Sequence, residues 1–165
     1  MARVIEGLVR LKERYIIGTL SNGNISLIVN MAKHSGLPWD VVLGAEVAGH
    51  YKPCPEAYLG SAKKLDLPPH QCMLVAAHNA GLLAASECGF KTAFVARPTE
   101  YGPDQTTDLS ADHEFDVIAT DFVDLLGNYR HRKITRYQFT AGIIHRGSFL
   151  LRTEYFNSRR LASER

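Results

Sequence analysis

The stretch Tyr15–Asn24, YIIGTLSNGN, decides how the rest of the chain is read. Largely apolar, partly β-branched residues run into a turn of Ser, Asn and Gly, and a helical pattern follows from Ile25. That is the pattern of a buried strand whose carboxyl end opens into a polar loop. Open α/β sheets hold their ligands at such strand ends. Ser21 offers a hydroxyl and Asn22 an amide, and a helix start adds backbone N–H groups able to bind an anion. An Asx-type turn that merely caps the helix accounts for the same residues.

Upstream, Val4, Leu8, Leu11 and Tyr15 recur at spacings of four, three and four among charged residues, which predicts an amphipathic helix packed on the sheet. Downstream, Ile28, Met31 and Ala32 mark the inner face of a second helix, stopped by Gly36, Leu37 and Pro38. Val41–Ala45 reads as a short buried strand. Lys52 then stands where an extended Tyr-Lys-Pro stretch meets a helix opened by Pro55, since proline is tolerated at the first helical position. Tyr58, one turn into that helix, lies on its buried side with Ala57, Ala62 and Leu65. There it is either a group leaning its hydroxyl toward the loop or a core tyrosine with a wet tip.

Cys72–Ala77 is short, apolar and without alternation, as a parallel strand is, and it runs into His78, Asn79, Ala80 and Gly81 before a helix closed by Gly89. Phe90–Ala96 repeats the pattern, residues 97–116 form a polar loop, Val117–Ala119 adds a short strand, and Phe122–Leu126 starts a last helical turn. Strands alternating with helices of this length imply right-handed βαβ crossovers and an α/β fold: a Rossmann-like parallel sheet of four or five strands flanked by helices.

The 165 residues, 45% hydrophobic and 22% charged, suit one soluble domain. No run is long and apolar enough to span a bilayer, and the charged N-terminus is no signal peptide, so a cytoplasmic location and no membrane partner are expected. Cys54, Cys72 and Cys88 are too widely spaced for a CxxC motif and predict reduced thiols, with no metal and no cofactor. The net charge of +2 hides an asymmetry: residues 1–128 hold 10 basic and 15 acidic residues, residues 129–165 hold 9 and 2. A boundary near Asn128 is therefore expected, with a core before it and a basic, aromatic extension after it. In that extension ITRYQFTAGII and FLLRTEYF can pair across a turn at Arg146 and Gly147. Scattered arginines with no binding-module pattern argue against a nucleic-acid partner. The extension is expected to be poorly ordered or a weak hairpin, whose deletion leaves the core intact and improves solubility.

Taken together, TLSNGN at 19–24, YKPCPEAY at 51–58, MLVAAHN at 73–79 and TAFVARPTEYGP at 92–103 resemble the haloacid dehalogenase superfamily, and within it the type II (S)-2-haloacid dehalogenases. The resemblance covers roughly residues 1–126 in continuous order. It implies a hydrolase acting on small 2-halo carboxylic acids: an aspartate displaces the halide, and water hydrolyses the resulting ester. Ser21 and Asn22 match the pair that binds the substrate carboxylate, Lys52 the lysine that balances the charge of the nucleophile, and Tyr58 the tyrosine beside it. A lysine near a carboxylate favours its ionised, nucleophilic form.

Two departures matter. The DxxGT-like strand end that supplies the nucleophile has no counterpart in this sequence, so the chain is expected to be the C-terminal part of such an enzyme and inactive alone. The acidic residue that follows the His-Asn pair in the fourth motif is replaced by Gly81, leaving His78 and Asn79 as loop polar groups. By resemblance the missing strand is central, lying between the YIIGTL and MLVAA strands, so two apolar edges are left to pair with another chain. A homodimer, or an N-terminal fragment in trans, is the protein partner that follows. The other readings are a non-catalytic small-anion-binding protein that keeps the pocket, or a phosphatase-type relative.

Overall fold

A computed structural model describes residues 2–131, 142–143 and 147–152. In chain order the elements are α1 (Ala2–Lys12), β1 (Ile16–Ser21), α2 (Ile25–Ser35), α3 (Ala45–Ala48), α4 (Pro55–Lys64), β2 (Met73–Ala76), α5 (Asn79–Glu87), β3 (Lys91–Val95), β4 (Val117–Ala119) and α6 (Phe122–His131), of which all but α3 follow the spacing. Gly36 ends α2 at φ 66°, its N–H reaching the Ala32 carbonyl, a left-handed cap that a side chain would strain. The last helix runs to His131, a turn beyond the expected start at Phe122–Leu126.

All four residues of β2 are buried, as a parallel strand covered on both faces requires. Met73 and Val75 face one core with Leu8, Leu11, Ile17, Phe122 and Leu125 from the α1 and α6 side. Leu74 and Ala76 face the other, with Tyr58, Ala62, Leu82, Ala85 and Phe94. The α1 and α6 backbones approach so closely that a Cβ on Gly7 would lie 2.9 Å from the Phe122 carbonyl carbon and collide with its side chain.

β2, β3 and β4 are mutually parallel neighbours. Between β1 and β2, however, lies β6 (Gly147–Arg152), antiparallel to both, with β5 (Gly142–Ile143) paired antiparallel to its start. Six residues of β6 pair with β1, from Ile16↔Arg152 to Ser21↔Gly147, and three with β2. In the pairing of β5 with β6, Gly142 faces Phe149 and Ile143 faces Ser148. The expectation of an extension standing apart from the core after residue 128 differs from this placement, for a physical reason: β1 and β2 are buried strands, and their facing N–H and C=O groups need partners. Residues 132–141, 144–146 and 153–165 of that extension lie outside the described residues.

The expected strand at Val41–Ala45 is reduced to one bridge, Val41 to Gly18, and Ala45 instead opens α3. The segment still lines the outer edge of β1, Thr19 N–H donating to the Val41 carbonyl and Ser21 N–H to that of Leu43, both at 3.2 Å. Among the described residues no helix is long and apolar enough to cross a membrane, and no group of three or more His, Cys, Asp or Glu is placed to hold a metal ion.

Candidate functional site

The site lies at the carboxyl end of β1, where three loops meet. Asn22 ties the first to the second: its Nδ2 donates to the Lys52 carbonyl at 3.0 Å, and its Oδ1 accepts from the Lys52 N–H at 2.7 Å. The amide thereby brackets the backbone of Lys52 rather than standing open for a ligand carboxylate. One Nδ2 hydrogen remains. Ser21 Oγ accepts from the Gly23 N–H at 3.0 Å, which fixes the turn and leaves the hydroxyl hydrogen to donate.

The α2 start, expected as an anion site, is filled from within the chain. Asn24 caps it by accepting from the Leu27 N–H at 2.8 Å, and the Glu46 carboxylate accepts from the Ile25 N–H at 2.7 Å. Glu46 thus supplies the negative charge that a helix N-terminus favours. Its carboxylate lies in α3, the short helix that the spacing did not predict. Gly44, just before it, abuts this loop: a Cβ there would come within 2.8 Å of the Gly23 carbonyl oxygen and 2.9 Å of the Ile25 nitrogen.

Lys52 is half-buried by surface, yet its ammonium sits deep enough that desolvation pulls its pKa from 10.5 to about 7. Ser21, Asn22, Gly44, His50, Lys52 and Ser61 line a cavity of about 10 Å³, room for about one water and no more. His50 and Ser61 had no signal beyond their neighbourhood to Lys52 and to the Pro55 helix. Tyr58 does not line it. That side chain is fully buried, its ring edge-on to Phe90 at 6.1 Å and its hydroxyl donating to the Gly81 carbonyl at 3.2 Å. Burial first, then Cys88 and Cys54, pushes its phenol above the ordinary range.

The other two loop residues part company. Asn79 is buried and fully used: Nδ2 donates to Asp108 Oδ1 and the Ser110 carbonyl, each at 3.0 Å, and Oδ1 accepts from the Asp112 N–H at 3.1 Å. It clamps the long β3–β4 connection onto α5. His78, at the N-cap of α5, makes no capping bond with its side chain. Its Nε2 lies 3.2 Å from Glu100 Oε2 and 3.0 Å from the Tyr101 hydroxyl. Gly81, in the first turn of α5, faces open space: a Cβ there meets nothing within 4 Å.

No family model matches the chain. Its fold matches the L-2-haloacid dehalogenase PA0810 with a TM-score of 0.77 and 49% identity, over 79% of this chain and 56% of that one. The defluorinating L-2-haloacid dehalogenase Rha0230 matches with a TM-score of 0.74 and 50% identity, over 76% and 51%. The L-2-haloacid dehalogenase of Xanthobacter autotrophicus with chloropropionic acid covalently bound shares the fold, with a TM-score of 0.64 at 20% identity over 78% and 60%. Protein CbbY of Rhodobacter capsulatus is 28% identical over 88 residues, 52% of this chain and 38% of that protein. The chain thus spans little more than half the length of the dehalogenases it matches. Over the part that aligns, with about half of the aligned residues identical, the chain shares its α/β fold with L-2-haloacid dehalogenases of the haloacid dehalogenase superfamily.

Proposed function

We propose that this chain carries the carboxylate-binding and charge-balancing part of a hydrolase for small 2-halo carboxylic acids. Ser21 donates its hydroxyl hydrogen to the substrate carboxylate. Asn22 contributes one amide hydrogen and, through its two backbone bonds, sets where Lys52 points. Lys52 supplies the positive charge that keeps an attacking aspartate ionised. The aspartate itself comes from a segment with the DxxGT pattern that is not among these 165 residues; it would displace halide and form an ester for water to hydrolyse. The observation that carries this reading is the pair of 2.7 and 3.0 Å bonds by which Asn22 holds the backbone of Lys52, a residue whose ammonium is desolvated.

The chain alone is expected to release no chloride from 2-chloropropionate above background. With a DxxGT-bearing segment added, release is expected, and Gly81→Asp raises it, because open space at that position accepts the side chain. Chloride release by the purified chain alone contradicts the reading. The second reading, a small-anion-binding protein without chemistry, is favoured by the Ser21 hydroxyl hydrogen left to donate and by the desolvated Lys52 ammonium. It predicts that 2-halo and 2-hydroxy acids raise the melting temperature, that Lys52→Ala abolishes the effect, and that the added segment changes nothing.

A further inference from the structure

The β3–β4 connection carries a carboxylate that the site above does not use. The Glu100 side chain is only 3% exposed, with Oε2 3.2 Å from His78 Nε2 and Oε1 3.3 Å from Arg97 Nη1. A carboxylate only accepts hydrogen bonds, so a neutral imidazole that donates to Glu100 carries its proton on Nε2. The Tyr101 hydroxyl, 3.0 Å from the same nitrogen, and its ring, stacked on the imidazole at 6.0 Å, hold the ring plane. Nδ1 makes no capping bond to α5, and among the described residues no hydrogen bond to it is found. In that tautomer Nδ1 is the basic nitrogen, oriented by a buried carboxylate through the opposite edge. His78 follows the carboxyl end of β2, the sheet end at which Ser21 and Lys52 stand.

We propose that His78, positioned by Glu100, is a general base for ester hydrolysis, taking the part left open by Gly81. The inference rests on the proposed function for the identity of its substrate, a carboxylic ester. Nδ1 takes a proton from water as the water oxygen bonds to the acyl carbon and the carbonyl π pair moves to oxygen. The tetrahedral adduct then re-forms C=O and breaks its bond to the alkoxide, which takes the proton from the imidazolium. Ester and water give acid and alcohol, and His78 returns to its neutral form. The charged and titratable groups facing it are Glu100, Tyr101 and, across Glu100, Arg97.

The test uses the full chain and p-nitrophenyl acetate, which needs neither the Lys52 pocket nor an aspartate nucleophile, so its outcome is independent of halide release. His78→Gln is expected to lower the hydrolysis rate at least tenfold, although six of the seven histidines remain. Glu100→Gln is expected to lower it less and to move the midpoint of the pH–rate profile to lower pH, because the imidazolium loses its counter-charge. A His78→Gln chain within twofold of the unsubstituted rate overturns the proposal, as does a Glu100→Gln profile that does not move. Should Glu100→Gln fail to fold, nitrogen NMR of the unsubstituted chain decides: the Nε2–H tautomer is expected, and the Nδ1–H tautomer contradicts the base role.

Discussion

The two sides of β2 are built differently. On one side, β2, β3 and β4 follow in chain order, parallel, each pair joined through the layer that holds α5 or the long polar loop. On the other, β2 and β1 are separated by β6, which arrives from the far end of the chain and runs against both. The parallel side is held by short-range crossovers and two cores. The β1 side depends on a strand that is more than 70 residues beyond β2 in sequence and fills a slot between two buried edges. One part of the sheet is therefore locally determined and the other conditional on a distant segment.

Cutting the chain after His131 tests that difference with the largest expected effect. It strips hydrogen-bond partners from six residues of β1 and three of β2. The cooperative thermal transition should disappear or shift to aggregation, the reverse of what the composition of the extension suggests. Leu74→Ala should come next. The side chain is fully buried on the parallel side, so about 2–5 kcal/mol is lost, read as a lower denaturant midpoint in a transition that stays single. If that loss were accompanied by separate melting of β1, the two regions would be independent units.

Lys52 sharpens the comparison at the site. Its pKa is about 7 in the folded chain against 10.5 for an exposed lysine. Below pH 7 both states are protonated and the folded chain bears the full desolvation cost. Between 7 and 10.5 only the unfolded chain keeps the proton, so the stability contributed by this residue rises with pH through that window. Anion binding runs the other way: affinity for a 2-halo acid should fall about tenfold per pH unit above 7, measured by calorimetry. Lys52→Met should flatten both dependences. The smallest effect is expected at Asp121, whose Oδ1 caps α6 by accepting from the Val123 and Asp124 N–H groups at 2.9 Å. The bond from the Asp124 backbone, ahead of the Arg3 guanidinium, holds its carboxyl below the usual range. Asp121→Ala should cost about 1 kcal/mol, and more of the cap should be lost as pH falls through the lowered pKa.

Legibility in the sequence follows the same division. Helix and strand periods, the Gly36 stop and the Pro55 start are local, and apart from residues 41–48 the elements from α1 to β4 stand close to where the pattern puts them. Ser21, Asn22 and Lys52 stand in motifs that resemble those of the haloacid dehalogenases, and the structure joins two of them through the bonds of Asn22 to the Lys52 backbone. What could not be read depends on distant partners. Glu46 reaches back 21 residues to the Ile25 N–H, Glu100 meets His78 from another loop, and Asn79 spends its amide on the residues 108–112 segment. The slot of β6 was the hardest case, because the pull of two unpaired edges on GSFLLR lies in neither segment alone, and the basic composition of its surroundings points elsewhere.

Amide hydrogen exchange of the full chain, followed residue by residue, tests the central claim that β6 completes the sheet. Paired on both sides for part of its length, β6 should show protection at residues 148–151 approaching that of Met73–Val75, and the amides of Ile17–Ser21 should be comparably slow. Exchange of residues 147–152 at the rate of free chain, with β1 and β2 still protected, would contradict the account.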